Sequence, residues 1–136
     1  MQKYGVMDAS YQAAGQEAGI RKLVDEFYHQ METLERGQSI RAMHTDELKI
    51  IKDKLSIFLM GWLGGPRNYA KIYGQISIPM VHKHLIIGEA ERDAWLFCMA
   101  EALKHQDYDE AFKIYLIKEL ARPAEAIRRV SQMNHG

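Results

Sequence analysis

The stretch "MVHKHLIIGEAERDAW", Met80 to Trp95, changes character halfway along. Its first half follows "QISIP", which ends at Pro79, and has no sustained helical period, so an irregular or only briefly helical segment is expected there. From Glu89 the pattern becomes helical. Trp95, Cys98, Met99 and Ala102 fall at i, i+3, i+4 and i+7, which is one face of a helix. A short apolar segment carrying His82 and His84 therefore leads into a helix that carries the second of the chain's two tryptophans.

The sequence on either side is also helical in period. Ile20, Leu23, Val24, Phe27, Tyr28 and Met31 recur at steps of three and four and predict a helix from Glu17 to Leu34, with Ser10 a candidate cap for a short helix ahead of it. Ser39 is a candidate cap for a connecting helix ending near His44, and Thr45 or Asp46 for the long helix that follows. That helix places Ile51, Leu55, Phe58, Leu59 and Trp62 on one face and stops at Gly64-Gly65-Pro66. "RNYAKIY" predicts a further short helix ended by Gly74. In the last helix Phe112, Tyr115, Leu116 and Leu120 form the stripe, and Pro123 is expected to kink or break it. With no alternating apolar/polar run, the fold class is all-α, a single domain over residues 1–136.

Composition narrows the function classes. Lys plus Arg and Asp plus Glu number 18 each, so no net field draws the chain to nucleic acid or an anionic membrane. The longest apolar stretch, "IFLMGWLGG", is far short of the roughly 20 residues that span a bilayer. One cysteine, Cys98, forms no internal disulfide, and the N-terminus lacks the apolar core of a signal peptide. A soluble, cytoplasmic protein is expected. Paired-cysteine motifs, phosphate loops, His-Glu-x-x-His and Gly-x-Ser-x-Gly are absent. His82 and His84, two residues apart, share a face only in an extended strand, and no third ligand stands at zinc spacing.

"VDEFYHQM", "IRAMHTDEL", "FLMGWLGGPRNY" and "VHKHLIIGEAERDAW" occur in an order and spacing that resemble the truncated haemoglobins of the second group. The resemblance runs from about Ala13 to Leu103 and weakens through the last helix. Its most specific pieces are "GWLGGP" and the pattern His-x-x-x-x-Ile-Gly-x-Ala-Glu-Arg-Asp-Ala-Trp, which begins at His82 up to the pattern's spacing. The resemblance implies a truncated globin, a two-over-two helical sandwich around haem b. In that family the histidine nine residues before "ERDAW" binds the iron, and counting back from Glu91 the resemblance implies His82 as the metal ligand. An irregular segment can present one neutral imidazole to a porphyrin where a long helix would crowd it.

Carried over residue by residue, the resemblance assigns Met80, Leu85 and Ile87 to the proximal wall. Tyr28, His44, Ile51, Leu55 and Trp95 line the opposite side, with Phe27 and Phe58 completing the haem surroundings. Dioxygen gains partial negative charge when it binds, so Tyr28, His44 and Trp95 are the implied ligand-stabilising donors. Each hydrogen bond would contribute about 1–1.5 kcal/mol, or roughly tenfold in release. The chain also departs from common members. His44 stands where an aromatic is frequent, Ile51 where small residues are usual, and Val81 where an arginine often precedes the proximal histidine. Lys54 and Arg67 are then the candidates for a haem propionate. His84 falls near the haem edge or in solvent.

The function implied is reversible binding of dioxygen, nitric oxide and carbon monoxide. Redox turnover, as a nitric oxide dioxygenase or with peroxide, would need an unidentified electron donor. Nothing in the sequence selects among these, or between monomer and homodimer. The alternative from another class is a haem-free helical sensor or interaction module in which the same stripes are simply core.

Overall fold

Ile20, Leu23, Val24, Phe27, Tyr28 and Met31 lie on one helix and are all buried, as their spacing predicts. The computed structural model describes residues 4–35, 37, 41, 48–73 and 88–135. Along them run α1 (Ala9–Ala13), α2 (Gln16–Thr33), α3 (Leu48–Trp62), α4 (Tyr69–Tyr73), α5 (Glu89–Lys104) and α6 (Glu110–His135). No strand occurs among the described residues. Apart from Arg41, the expected connecting helix at Ser39–His44 falls outside them, as do the Thr45 or Asp46 start and the irregular stretch after Gly74.

Two helix pairs form the body. α2 packs on α3, α5 packs on α6, and the pairs meet where α2 crosses α5. This is the two-over-two arrangement. Its centre is filled by Phe27, Met31, Met99, Phe112 and Leu116, each at most 1% exposed. Burying side chains of this size is the main favourable term, about 1.5–3 kcal/mol each. The Tyr108 phenol ties the α5–α6 turn to the start of the chain by donating to the Ala14 carbonyl at 2.7 Å. Burial pushes that phenol up to about 12.

The end of α3 shows how sequence becomes geometry. Gly65 N–H donates to the Met60 carbonyl at 2.8 Å and Gly64 N–H to Gly61 at 3.1 Å, which together make a Schellman motif. Gly64 takes φ +97°, the left-handed conformation that motif requires. The turn reverses the chain toward α4.

Three expectations are corrected. Ser10 does not cap α1. It lies one residue inside the helix, nearly fully buried, and its Oγ accepts the Gly5 N–H at 2.8 Å, so it anchors the preceding turn instead. On α3 the buried positions are Ile51, Ser56, Ile57, Leu59 and Met60, while Leu55, Phe58 and Trp62 are only half-buried. The predicted stripe thus joins the core through Ile51 and Leu59, while Leu55, Phe58 and Trp62 border it. Pro123 does not break α6, which runs on to His135. Leu116, Leu120, Ala124 and Ser131 continue one buried line across the proline, and Glu125 pairs with Arg92 on α5 at 3.0 Å, so packing on both sides of Pro123 outweighs the lost hydrogen bond.

Candidate functional site

Phe27 and Tyr28 are neighbours in sequence, yet both are buried because α2 has helices on two sides, α3 and α5. The Phe27 ring meets Tyr28 edge-on, centroids 5.0 Å apart at 64°, and meets Trp95 of α5 in the same way at 5.1 Å and 67°. Trp95 sits in the second turn of a helix whose start is set locally. The Glu91 carboxylate reaches back to accept the Gly88 N–H at 3.1 Å. Along α3, Ile51, Leu55 and Phe58 follow at i, i+4 and i+7, and Phe58 stacks on Trp62 with centroids 6.4 Å apart.

Electrostatics assign a role to the phenol. Burial raises the Tyr28 pKa far above its ordinary value, outweighing the opposite pull of the Arg41 guanidinium, so the hydroxyl keeps its proton throughout the neutral range. Tyr28 is therefore a hydrogen-bond donor and not a phenolate. Arg41 is held in turn by Glu32 near the end of α2, Nε to Oε1 3.2 Å. The sequence reading missed Arg41. It lies in the stretch expected to form a connecting helix, and its proximity to Tyr28 is visible only in three dimensions. The Trp95 indole N–H has no acceptor among the described residues.

These residues suit a porphyrin. Leu55, Phe58 and Trp95 each pack against the core on one side while remaining half-buried, so large apolar surfaces border the core without being enclosed by it. A flat, largely apolar macrocycle matches such a wall, and the phenol and indole supply the few polar groups a ligand site needs. No described helix is long and apolar enough to cross a membrane.

Of the residues singled out in the sequence, the structure brings Phe27, Tyr28 and Trp95 into one cluster and sets Ile51, Leu55 and Phe58 along α3. Lys54 is half-buried on the same helix. Arg67 lines a cavity with Ser10, Trp62 and Tyr115 that shares no residue with the Phe27–Tyr28–Trp95 cluster. His44, Met80, His82, Leu85 and Ile87 lie outside the described residues, as does His84.

Known proteins share this arrangement. The family described as bacterial-like globin matches residues 9–129. The chain is 29% identical over 113 residues to the group 2 truncated hemoglobin YjbI of Bacillus subtilis (strain 168), covering 83% of each. Among solved structures it is similar to the group II 2-on-2 hemoglobin of Agrobacterium tumefaciens, with TM-score 0.82 and 30% identity over 94% of this chain and 98% of that one. It is also similar to the truncated oxygen-avid haemoglobin of Bacillus subtilis, with TM-score 0.78 and 28% identity over 88% of this chain and 98% of that one. The helical sandwich, the aromatic cluster bridging α2 and α5 and these likenesses together place the chain in the bacterial-like globins, among the truncated haemoglobins of group II.

Proposed function

We propose that this globin holds haem b through His82 and reversibly binds dioxygen and the other diatomic gases, nitric oxide and carbon monoxide. The observation that carries the reading is the buried Tyr28 phenol, kept protonated and wedged beside Phe27 opposite the half-buried Trp95 indole. Haem supplies an iron atom at which a diatomic gas binds. Tyr28 donates a hydrogen bond to the partial negative charge a bound gas acquires, and Trp95 offers a second N–H. His44 is the third donor of the proposed site. Phe27, Ile51, Leu55 and Phe58 exclude water, and a drier site strengthens each of those hydrogen bonds. Met80, Leu85 and Ile87 form the wall on the His82 side, and Lys54 is the propionate contact. The name oxygen-avid, carried by the similar protein of Bacillus subtilis, supports the choice of dioxygen as ligand.

Purification with haem tests the reading directly. The protein is expected to show an intense Soret band. His82→Ala should lose haem or retain it only with added imidazole, while His84→Ala keeps its haem content. A fully folded protein that takes up no haem would overturn the proposal and leave the haem-free interaction module.

A further inference from the structure

A cavity of about 290 Å³ lies where the residues before α1 meet the end of α3 and the second turn of α6. It is at the small end of the range for ligand pockets, roughly 300 Å³ and upward, with room for a single-ring molecule. Three stretches of its wall are glycine backbone. Gly5 and Gly64 take φ +86° and +97°, where other residues are strained, and a side chain at Gly5 would meet the Tyr115 hydroxyl at 2.9 Å. At Gly61, the third, a Cβ would face Arg67. Small residues keep this space open.

The polar groups around it point to a ligand of one charge type. Arg21, Arg41, Arg92, Arg122, Arg128 and Arg129 each hold a carboxylate. Arg67, which lines the cavity, is alone among the described arginines in having no ion-pair partner among the described residues. No acidic residue lines the cavity among the described residues. The Tyr115 hydroxyl accepts from Ser10 Oγ at 3.4 Å, and its own proton has no acceptor among the described residues. A guanidinium fork and a phenol donor on one cavity suit a carboxylate, which takes two parallel N–H bonds from arginine and has lone pairs left for the phenol. The half-buried indole of Trp62 adds a flat apolar face, which favours a ring.

We infer that this cavity is a second binding site, separate from the gas site, for a small aromatic monocarboxylate, with Arg67 and Tyr115 holding the carboxylate and Trp62 the ring. Trp62 also stacks on Phe58, so the occupant lies one ring pair away from the proposed haem surroundings.

Benzoate is a suitable probe, added to reduced protein saturated with carbon monoxide so that carboxylates have no access to iron. Titration followed by amide chemical shifts should move the Gly5, Gly61 and Gly64 signals saturably. Benzyl alcohol, the same ring without the charge, should bind at least about tenfold more weakly, and Arg67→Gln should weaken benzoate by at least about tenfold while leaving benzyl alcohol unchanged. Arg67 is exposed, so the variant folds as the parent does. Tyr115→Phe should weaken benzoate several-fold. Equal affinity for the two probes, benzoate binding unaffected by Arg67→Gln, or shifts confined to other residues would each overturn the inference.

Discussion

Tyr28 shows how one buried hydroxyl is given a single task. Its phenol is 4% exposed, and desolvation disfavours the phenolate so strongly that the group donates and does not ionise. Removing the donor with Tyr28→Phe should speed dioxygen release by about tenfold, with carbon monoxide, which is less polarised, affected less. Equal effects on both gases, measured by stopped-flow, would point to altered access instead of a lost hydrogen bond. The sign of the pKa shift adds a pH test. A group whose pKa is raised stays protonated below the raised value, so the advantage of wild type over Tyr28→Phe should be constant from pH 6 to 9. A decline in that ratio within this range would show that the phenol ionises there. Ser10 carries a lesson at the same scale. A serine near a helix start reads as a cap, but its hydroxyl accepts from Gly5 in the turn before α1 and donates to Tyr115, which α6 brings within reach.

At the scale of elements, the end of α3 and the second half of α6 are both set by a few contacts. Gly64 needs its positive φ, and a Cβ there would run into the Met7 carbonyl. Gly64→Ala should therefore cost at least about 1–2 kcal/mol in urea unfolding, the left-handed penalty alone, with the clash adding to it. Gly88→Ala, where φ is −101° and the nearest atom to an added Cβ is 3.6 Å away, is the control expected to cost less, since it loses only the N-cap preference for glycine and meets neither left-handed strain nor a clash. On α6, Glu125 receives hydrogen bonds from Arg128 and from Arg92 on α5, which hold its carboxyl down at about 2. A carboxylate with a depressed pKa contributes stability that is fully present above its ordinary value near 4.5 and is lost as pH falls toward 2. Wild type should thus lose stability more steeply than Glu125→Gln across that interval. Parallel acid-unfolding curves for the two proteins would remove the ion pair from any account of how α6 is held past Pro123.

For the molecule as a whole, the half-buried wall of Leu55, Phe58 and Trp95 connects the proposed cofactor to stability. Haem binding to the folded chain alone raises apparent stability by mass action, and covering apolar surface adds to the heat-capacity change of unfolding. The haem-loaded protein should melt well above the haem-free one, and calorimetry should show the larger heat-capacity change for the loaded form. Equal melting temperatures would mean that the wall is not where haem binds. Surface pairs such as Arg21–Asp53 at 3.0 Å and Lys52–Asp25 at 3.4 Å bridge α2 and α3. Being solvent-exposed, each contributes at most about 1 kcal/mol, so packing and not charge holds the two helix pairs together.

Among the described residues, the sequence by itself determined the helices and the buried face of α2, because a period of three and four residues is a local property that any helix of that sequence must express. It also contained the family, since "GWLGGP" and "ERDAW" are short-range patterns tied to a turn and a cap that form locally, the Gly64–Gly65 motif and the Glu91 reach to Gly88. What it left undecided needed the tertiary structure. Which face of α3 is core and which borders the site, whether α6 survives Pro123, which group tunes Tyr28, and where Arg67 points all depend on residues brought together from separate helices. Burial of a phenol and the pairing of a guanidinium are set by neighbours far away in the chain, and a one-dimensional pattern records no such neighbours.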